Sequence, residues 1–155
     1  AGMKAPLVFC GPGVPRGRSQ ALVYLYDILP TVCDLAGVKI PADEDGRSLT
    51  PIIAGKETKV RDTLFTAYRD VQRSVRDDRW KLIRYPKIDR AQLFDLQSDP
   101  DEIHDLSSDP AQAERIARLT RLMQEWQNKY GDAAPLQAAN PADGKFTPPA
   151  SGNRN

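Results

Sequence analysis

Little in this chain offers catalytic chemistry on its own. Its 155 residues include one histidine and two cysteines. Cys10 and Cys33 stand singly in apolar surroundings, with neither a CxxC pair nor metal-ligand spacing. They read as buried free thiols, with a disulfide between them as the alternative. One histidine without a second nitrogen or thiol ligand makes a poor zinc site. Neither G-x-G-x-x-G nor G-x-x-x-x-G-K-[ST] occurs, so the glycine and proline cluster at residues 11–15 is a loop and not a phosphate cradle. An excess of one charge is also missing. Lysine and arginine number 22 against 21 acidic residues, and the arginines are scattered, so neither a nucleic-acid nor an acidic-membrane partner is expected. No apolar run approaches the roughly 18 or more residues of a membrane span, and the N-terminal stretch lacks the regions of a signal peptide. The expectation is a soluble chain, long enough for one domain with a real core or for part of a larger one.

What is present is best organised around residues 71–96. Val71, Arg73 and Val75 alternate with Gln72, Ser74 and Arg76, and after Asp77-Asp78 the run Trp80, Leu82, Arg84 alternates with Lys81, Ile83, Tyr85. Period two marks half-buried strands, and short acidic side chains suit the turn between them. Pro86 ends the second strand, Leu93-Phe94-Asp95-Leu96 supplies another, and residues 63–68 enter the same sheet as its first strand. Asp109-Pro110 then starts a helix, N-cap followed by proline at the first helical position, that runs to Tyr130-Gly131. Ile116, Leu119, Leu122, Met123 and Trp126 repeat at helical spacing, and burying them would contribute on the order of 8 to 15 kcal/mol gross. The natural surface for that stripe is one face of the antiparallel sheet.

Residues 5–10, APLVFC, form a short apolar run of the kind buried on both faces of a larger sheet, a hint of missing neighbours. A helix is expected from about Ile28 to Ala36, with Asp27 as N-cap, Pro30 in the first turn and Gly37 as left-handed C-cap, burying Leu29, Val32 and Cys33. Asp27 and Asp34 lie seven apart with no histidine near, so capping is preferred to a catalytic carboxylate pair. In the irregular stretch 38–62, Gly46 is expected at positive φ, and Ser48 caps a short helical segment through Ile53 that Gly55 closes. Residues 97–109 are acidic, but Asp99, Asp101 and Asp105 lack the central glycine and final glutamate of an EF-hand. A solvated loop with Ile103 and Leu106 tucked against the sheet is expected instead. Residues 132–155, with Phe146 nearly their only large apolar group, are expected to be mostly disordered or draped over the surface.

Several of these stretches occur together in a telling order. Ala5-Pro6-Leu7-Val8 with Gly11-Pro12-Gly13, Asp27-Ile28-Leu29-Pro30-Thr31 through Leu35-Ala36-Gly37, and Asp45-Gly46-Arg47-Ser48-Leu49 come first. Arg79-Trp80-Lys81-Leu82-Ile83, then Leu93-Phe94-Asp95-Leu96 through Asp99-Pro100 and Glu102, follow. In that order and spacing the chain resembles the C-terminal part of the sulfatases, the formylglycine-dependent sulfuric ester hydrolases, over about residues 2 to 130. The resemblance implies an α+β fold: a small antiparallel sheet packed by one long C-terminal helix, preceded by the last strand and helix of a truncated alkaline-phosphatase-like α/β domain. Residues 1–55 would be the remnant of that large domain, 56–131 the C-terminal subdomain, and 132–155 the tail.

The same resemblance implies that the parent's nucleophile and calcium ligands lie upstream of Ala1, leaving no cofactor to this fragment. Cys10-Gly11-Pro12-Gly13-Val14 imitates the first positions of the nucleophile motif C/S-x-P-x-R, but valine stands where arginine is required, so Cys10 is not expected to be catalytic. The expected role is scaffold and active-site rim for a sulfate-ester hydrolase, periplasmic or secreted, whose missing N-terminal domain is the principal partner. Gln72 and Arg73 are the candidate substrate contacts, because a guanidinium can hold an anionic sugar group bidentately. Two other readings stand beside this one. The parent could be a related phosphodiesterase or phosphonate hydrolase, or the chain could be a stand-alone assembly module self-associating through the strand edge at residues 5–10.

Overall fold

In the computed structural model, residues 5–144 are described. A four-stranded antiparallel meander forms the centre, in the order β1 (Leu64–Tyr68), β2 (Gln72–Arg76), β3 (Trp80–Tyr85), β4 (Arg90–Asp95). Its register sets Phe65 opposite Val75, Val75 opposite Leu82 and Leu82 opposite Leu93. Alternation therefore places these four on one face. With Trp80 they meet Leu119 and Met123 of the helix α3 (Ala113–Tyr130), while Ile116, Leu122, Trp126, Leu106 and Leu136 close the rim of this core. The five-residue stripe read from the sequence is the buried one, and the indole N–H of Trp126 donates to Thr63 Oγ1 at 3.0 Å.

Local chemistry explains the boundaries. Asp77 Oδ1 accepts from the amides of Trp80 and Arg79, which shapes the β2–β3 turn, and its Oδ2 accepts from Arg118 of α3 at 2.7 Å. The hairpin tip is thus tied to the helix that covers it. Asp109 accepts from Ala111 N and, with Pro110, opens a 3-10 turn that leads into α3, while Gly131 at φ 64° closes it. Pro86 stops β3 as expected, and β4 begins earlier than the sequence suggested, at Arg90.

The first sixty residues differ more from expectation. Residues 5–10 pair with no strand, and Val8 is 83% exposed. An apolar run becomes a central strand only where neighbours supply hydrogen bonds on both sides, and among the described residues none does so. Cys10 is exposed, Cys33 is half-buried, and both are free, so neither a buried Cys10 nor a disulfide is found.

Helix α1 (Ile28–Ala36) has the expected limits and the expected left-handed Gly37, yet it is turned the other way. Pro30 and Thr31 are buried, whereas Leu29, Val32 and Leu35 are 49%, 51% and 51% exposed. The reason lies in Asp27. Its carboxylate does not cap α1; it accepts from Tyr24 N and Arg47 N and pairs with both terminal nitrogens of Arg61. Thr31 Oγ1 adds a bond from Leu49 N. This polar anchorage holds the side of α1 that carries Pro30 and Thr31 against residues 45–61 and leaves the apolar side free.

Gly46 is needed for close approach and not for positive φ. A Cβ there would stand 2.5 Å from Tyr26 O and 3.0 Å from Pro30 Cγ. Backbone cannot yield as a flexible side chain does, so Gly46→Ala should cost about 1 to 3 kcal/mol, read from the urea midpoint. Ser48 Oγ accepts from Thr50 N at the start of α2 (Thr50–Ile53), and Gly55 at φ 68° follows it.

Beyond α3, residues 132–144 are draped along the β3–β4 connection, with Ala138 N bonded to Pro86 O and Ala142 N to Lys87 O. Phe146 and the rest of the tail lie outside the described residues. In the acidic loop Leu106 packs on the core, but Ile103 is 71% exposed instead of tucked in. Among the described residues no helix is long and apolar enough to cross a membrane.

Candidate functional site

The sheet has a second face, and α3 does not cover it. Alternation brings Thr66 and Tyr68 of β1, Gln72 of β2, Lys81, Ile83 and Tyr85 of β3, and Gln92 and Phe94 of β4 to that side. Together with Asp101 and Glu102 from the following loop they line an open trough of about 540 Å³. Phe94 and Ile83 are buried in its floor.

Lys81 and Glu102 hold one end of it. The two side chains pair at 2.5 Å, with 7% and 13% of their surface exposed. Glu102 takes the left-handed conformation, φ 59°, which a non-glycine residue adopts only when its surroundings enforce it. Asp99 does so: its carboxylate accepts from Ile103 N and His104 N, and its carbonyl from Glu102 N. Elsewhere in the trough Tyr85 Oη donates to Gln92 Oε1 at 3.0 Å, and burial pushes the Tyr85 phenol up in pKa. Arg76 sits on the same face beside Lys81, and burial draws its guanidinium below the ordinary arginine range. Aromatic edges, amides and a nearly dry ion pair are the groups that hold a hydroxylated, partly anionic ligand by its oxygens.

The structure parts the two residues singled out from the sequence. Gln72 faces the trough. Arg73, its neighbour, points to the α3 side and is 4% exposed, with Nε and Nη2 paired to both oxygens of Asp132 at 2.7 and 2.9 Å. A third nitrogen, Nη1, donates to the carbonyls of Arg69 and Gln72. The Arg73 guanidinium holds the Asp132 carboxyl well below the usual range, at about 2. Lys81, Tyr85 and Gln92 were not anticipated, although strand parity already placed them with Gln72. Glu102 carried no such signal, because loop conformation decides its position.

The chain's own groups do not fit the catalytic equipment that the resemblance implies. Among the described residues no three His, Cys, Asp or Glu side chains are grouped to hold a metal ion. The acidic loop is committed to other work. Asp99 and Asp105 accept from backbone amides, Glu102 from Lys81, and Asp95 from Arg79, which brings the Asp95 carboxyl to about 2. His104 is 79% exposed at its side chain and lies outside the trough lining. Cys10 is exposed and precedes a turn closed by Val14 N to Gly11 O.

Comparison with known proteins gives this geometry a context. Residues 1–129 match the family described as N-sulphoglucosamine sulphohydrolase, C-terminal. The chain is 31% identical to a Delta 4,5-hexuronate-2-O-sulfatase of Bacteroides thetaiotaomicron, the match covering 82% of this chain and 29% of that protein. Among solved structures it is similar to a 2-O GAG sulfatase, with TM-score 0.60 and 32% identity over 68% of this chain and 25% of that one. It is also similar to a phosphonate monoester hydrolase from Silicibacter pomeroyi, with TM-score 0.57 and 26% identity over 70% of this chain and 25% of that one. The chain therefore spans about a third or less of the length of the curated relatives it matches.

Proposed function

The chain belongs to the sulfatase family, as its N-sulphoglucosamine sulphohydrolase C-terminal region, and from that membership we propose that it is scaffold and active-site rim for a sulfate-ester hydrolase. The observation that carries this reading is the outward-facing apolar side of α1. Leu29, Val32 and Leu35, with Leu25 before them and Val38 after, are at least half exposed or nearly so in this chain. Clustered apolar surface of that kind marks an interface. The matched relatives extend well beyond the matched region, so the occupant we assign to it is the large domain of a sulfatase-length parent. The trough on the helix-free face would then border that parent's reaction site.

Within this division of labour the large domain supplies the chemistry, including the formylglycine and calcium that the family resemblance implies. The residues of this chain bind and orient. Gln72 can exchange two hydrogen bonds with sugar hydroxyls, and Tyr68 and Tyr85 offer apolar ring surface to a pyranose. Arg73 would reach a substrate only by releasing Asp132, so Gln72 is the contact we retain. A phosphonate-cleaving parent would use the same scaffold, and the nucleophile-bearing domain decides between the two chemistries.

Sulfate release tests the proposal. The 155-residue chain should liberate no sulfate from a sulfated monosaccharide, while a parent containing it should. In that parent Gln72→Ala should raise KM by about three- to tenfold with an unchanged melting temperature, as expected for one or two lost hydrogen bonds. Val32→Asp should destabilise the parent yet leave the isolated chain within about 0.5 kcal/mol of the wild type. Turnover by the isolated chain, or equal damage from Val32→Asp in both settings, would remove the assignment.

A further inference from the structure

The two ends of the trough differ in charge. At one end Lys81 and Phe94 stand opposite each other with Asp101 and Glu102 beside them. At the other, next to the β1–β2 and β3–β4 turns, Tyr68 pairs with Gln72 and Tyr85 with Arg90, and the register of β2 on β3 joins the two pairs into one row across all four strands. Neighbouring strands lie about 4.8 Å apart, so the backbones of Tyr68 and Tyr85 stand about 10 Å from one another with Gln72 between them. One pyranose ring is too narrow to lie on both tyrosines. Two linked rings are not.

A guanidinium stands at each edge of this row. Arg90 is exposed and shares a face with Gln92 and Phe94 by strand parity. Its charge reaches the Tyr85 phenol, which burial raises in pKa and Arg90 draws back. On the other edge Arg69 is exposed, its guanidinium carbon 5.8 Å from the centre of the Tyr68 ring. Arg69 is the first central residue of a turn closed by Val71 N to Tyr68 O, and it has φ 47°, a position where glycine is the ordinary occupant. The non-glycine residues at positive φ among the described residues are Arg69, Asp89 and Glu102, and all three flank the elements that line the trough. Strain of this kind clusters where a ligand is held. Neither Arg69 nor Arg90 forms an ion pair among the described residues, whereas the carboxylates nearby are engaged. Asp70 pairs with Lys87 at 2.6 Å, Asp89 accepts from Gln137 Nε2, and Asp105 accepts from the amides of Leu93 and Ser107.

On the premise that the trough borders a sulfatase reaction site, we propose that this row binds an acidic disaccharide laid across the strands. One ring lies on Tyr68 and the next on Tyr85, Gln72 bonds hydroxyls between them, and Arg69 and Arg90 each hold a carboxylate or sulfate other than the one released. Ring faces and an amide would accept any pair of pyranoses. The two guanidinium groups favour a sugar chain charged on adjacent units, because a neutral one leaves their forks without an oxyanion. Asp101 at the far end disfavours an anion there, which keeps the charged groups on the arginine row. Arg69 and Arg90 are thus the specificity-determining residues of the rim.

The test is a titration of the 155-residue chain at constant ionic strength, read from the Gln72 side-chain amide and the Tyr68 and Tyr85 ring resonances. Two probes are compared: the disaccharide of chondroitin 6-sulfate, which carries a carboxylate on one ring and a sulfate on the other, and neutral lactose. The charged disaccharide should shift all three residues saturably and bind about tenfold or more tightly than lactose. Arg69→Gln and Arg90→Gln should each weaken it by about three- to tenfold, with lactose binding and the melting temperature unchanged, since both side chains are exposed. Equal affinity for the two disaccharides, or charged-disaccharide binding undiminished by both substitutions, would overturn the proposal, as would the absence of any shift in these three residues. Failure of the rim reading itself shows elsewhere, in sulfate release and in Val32→Asp, which these titrations do not touch.

Discussion

Asp27→Ala should cost the fold about 3 to 5 kcal/mol, the largest loss expected from one polar substitution in this chain. The Asp27 and Arg61 side chains are 0% and 6% exposed, and the carboxylate serves four donors at once. Burial alone would raise the Asp27 carboxyl. The guanidinium of Arg61 and the amides of Arg47 and Tyr24 outweigh it and bring the group below its ordinary value. Removing the carboxylate leaves Arg61 buried with only Leu22 O as a strong acceptor and sets two amides adrift. The damage should be local. Residues 20–61 are tied to the sheet through Tyr24, whose hydroxyl bonds both N and O of Phe65, while the sheet and α3 have their own core. Urea melts should therefore lose coincidence between probes, with amide protection falling at Thr31 and Leu49 before it falls at Leu82. A loss below about 1 kcal/mol would show that this network adds little beyond a surface pair.

That network also shows where the sequence could and could not be read. The sheet and α3 were legible because both signals are periodic and both are satisfied within the chain. Val75, Leu82 and Leu93 repeat every second residue, Leu119 and Met123 recur on a helix stripe, and each set buries the other. The N-terminal region failed for the opposite reason. The apolar residues of α1 and of 5–10 follow the same rules, but among the described residues nothing covers Val8, Leu29, Val32 or Leu35, and the side of α1 held by hydrogen bonds became the attached one. Asp27 reads from the sequence as the N-cap of α1, yet it makes no such bond and its principal partner lies 34 residues away, beyond the reach of any local pattern. The trough was half legible. Strand parity groups Gln72 with Lys81, Tyr85 and Gln92 and separates it from Arg73, whereas Glu102 depends on a left-handed turn set by Asp99.

The side of the sheet on which Arg73 lies decides what its removal should do. Arg73→Ala should lower stability by roughly 2 to 4 kcal/mol, somewhat less than a fully buried pair, since Asp132 keeps 18% of its side chain exposed. Asp132 is also held by Gln127 and by Ala134 N just past the end of α3, so the loss should loosen residues 132–144 from the sheet. Acid supplies an independent measure. The carboxyls of Asp132 and Asp95 titrate at about 2 in the folded chain against an ordinary 3.8. Between those values the unfolded chain binds more protons than the folded one, so stability is complete above about pH 4 and drains away as pH falls toward 2. Asp132→Asn should be less stable than wild type at pH 6 and should lose less on going to pH 2.5, because one of the two depressed carboxyls is gone. Urea midpoints across that range measure both effects. In a full-length parent Arg73→Ala should lower the melting temperature as well as activity. A variant that weakens substrate binding with the melting temperature and acid profile intact would instead put the guanidinium on the substrate and free it from Asp132 during the reaction.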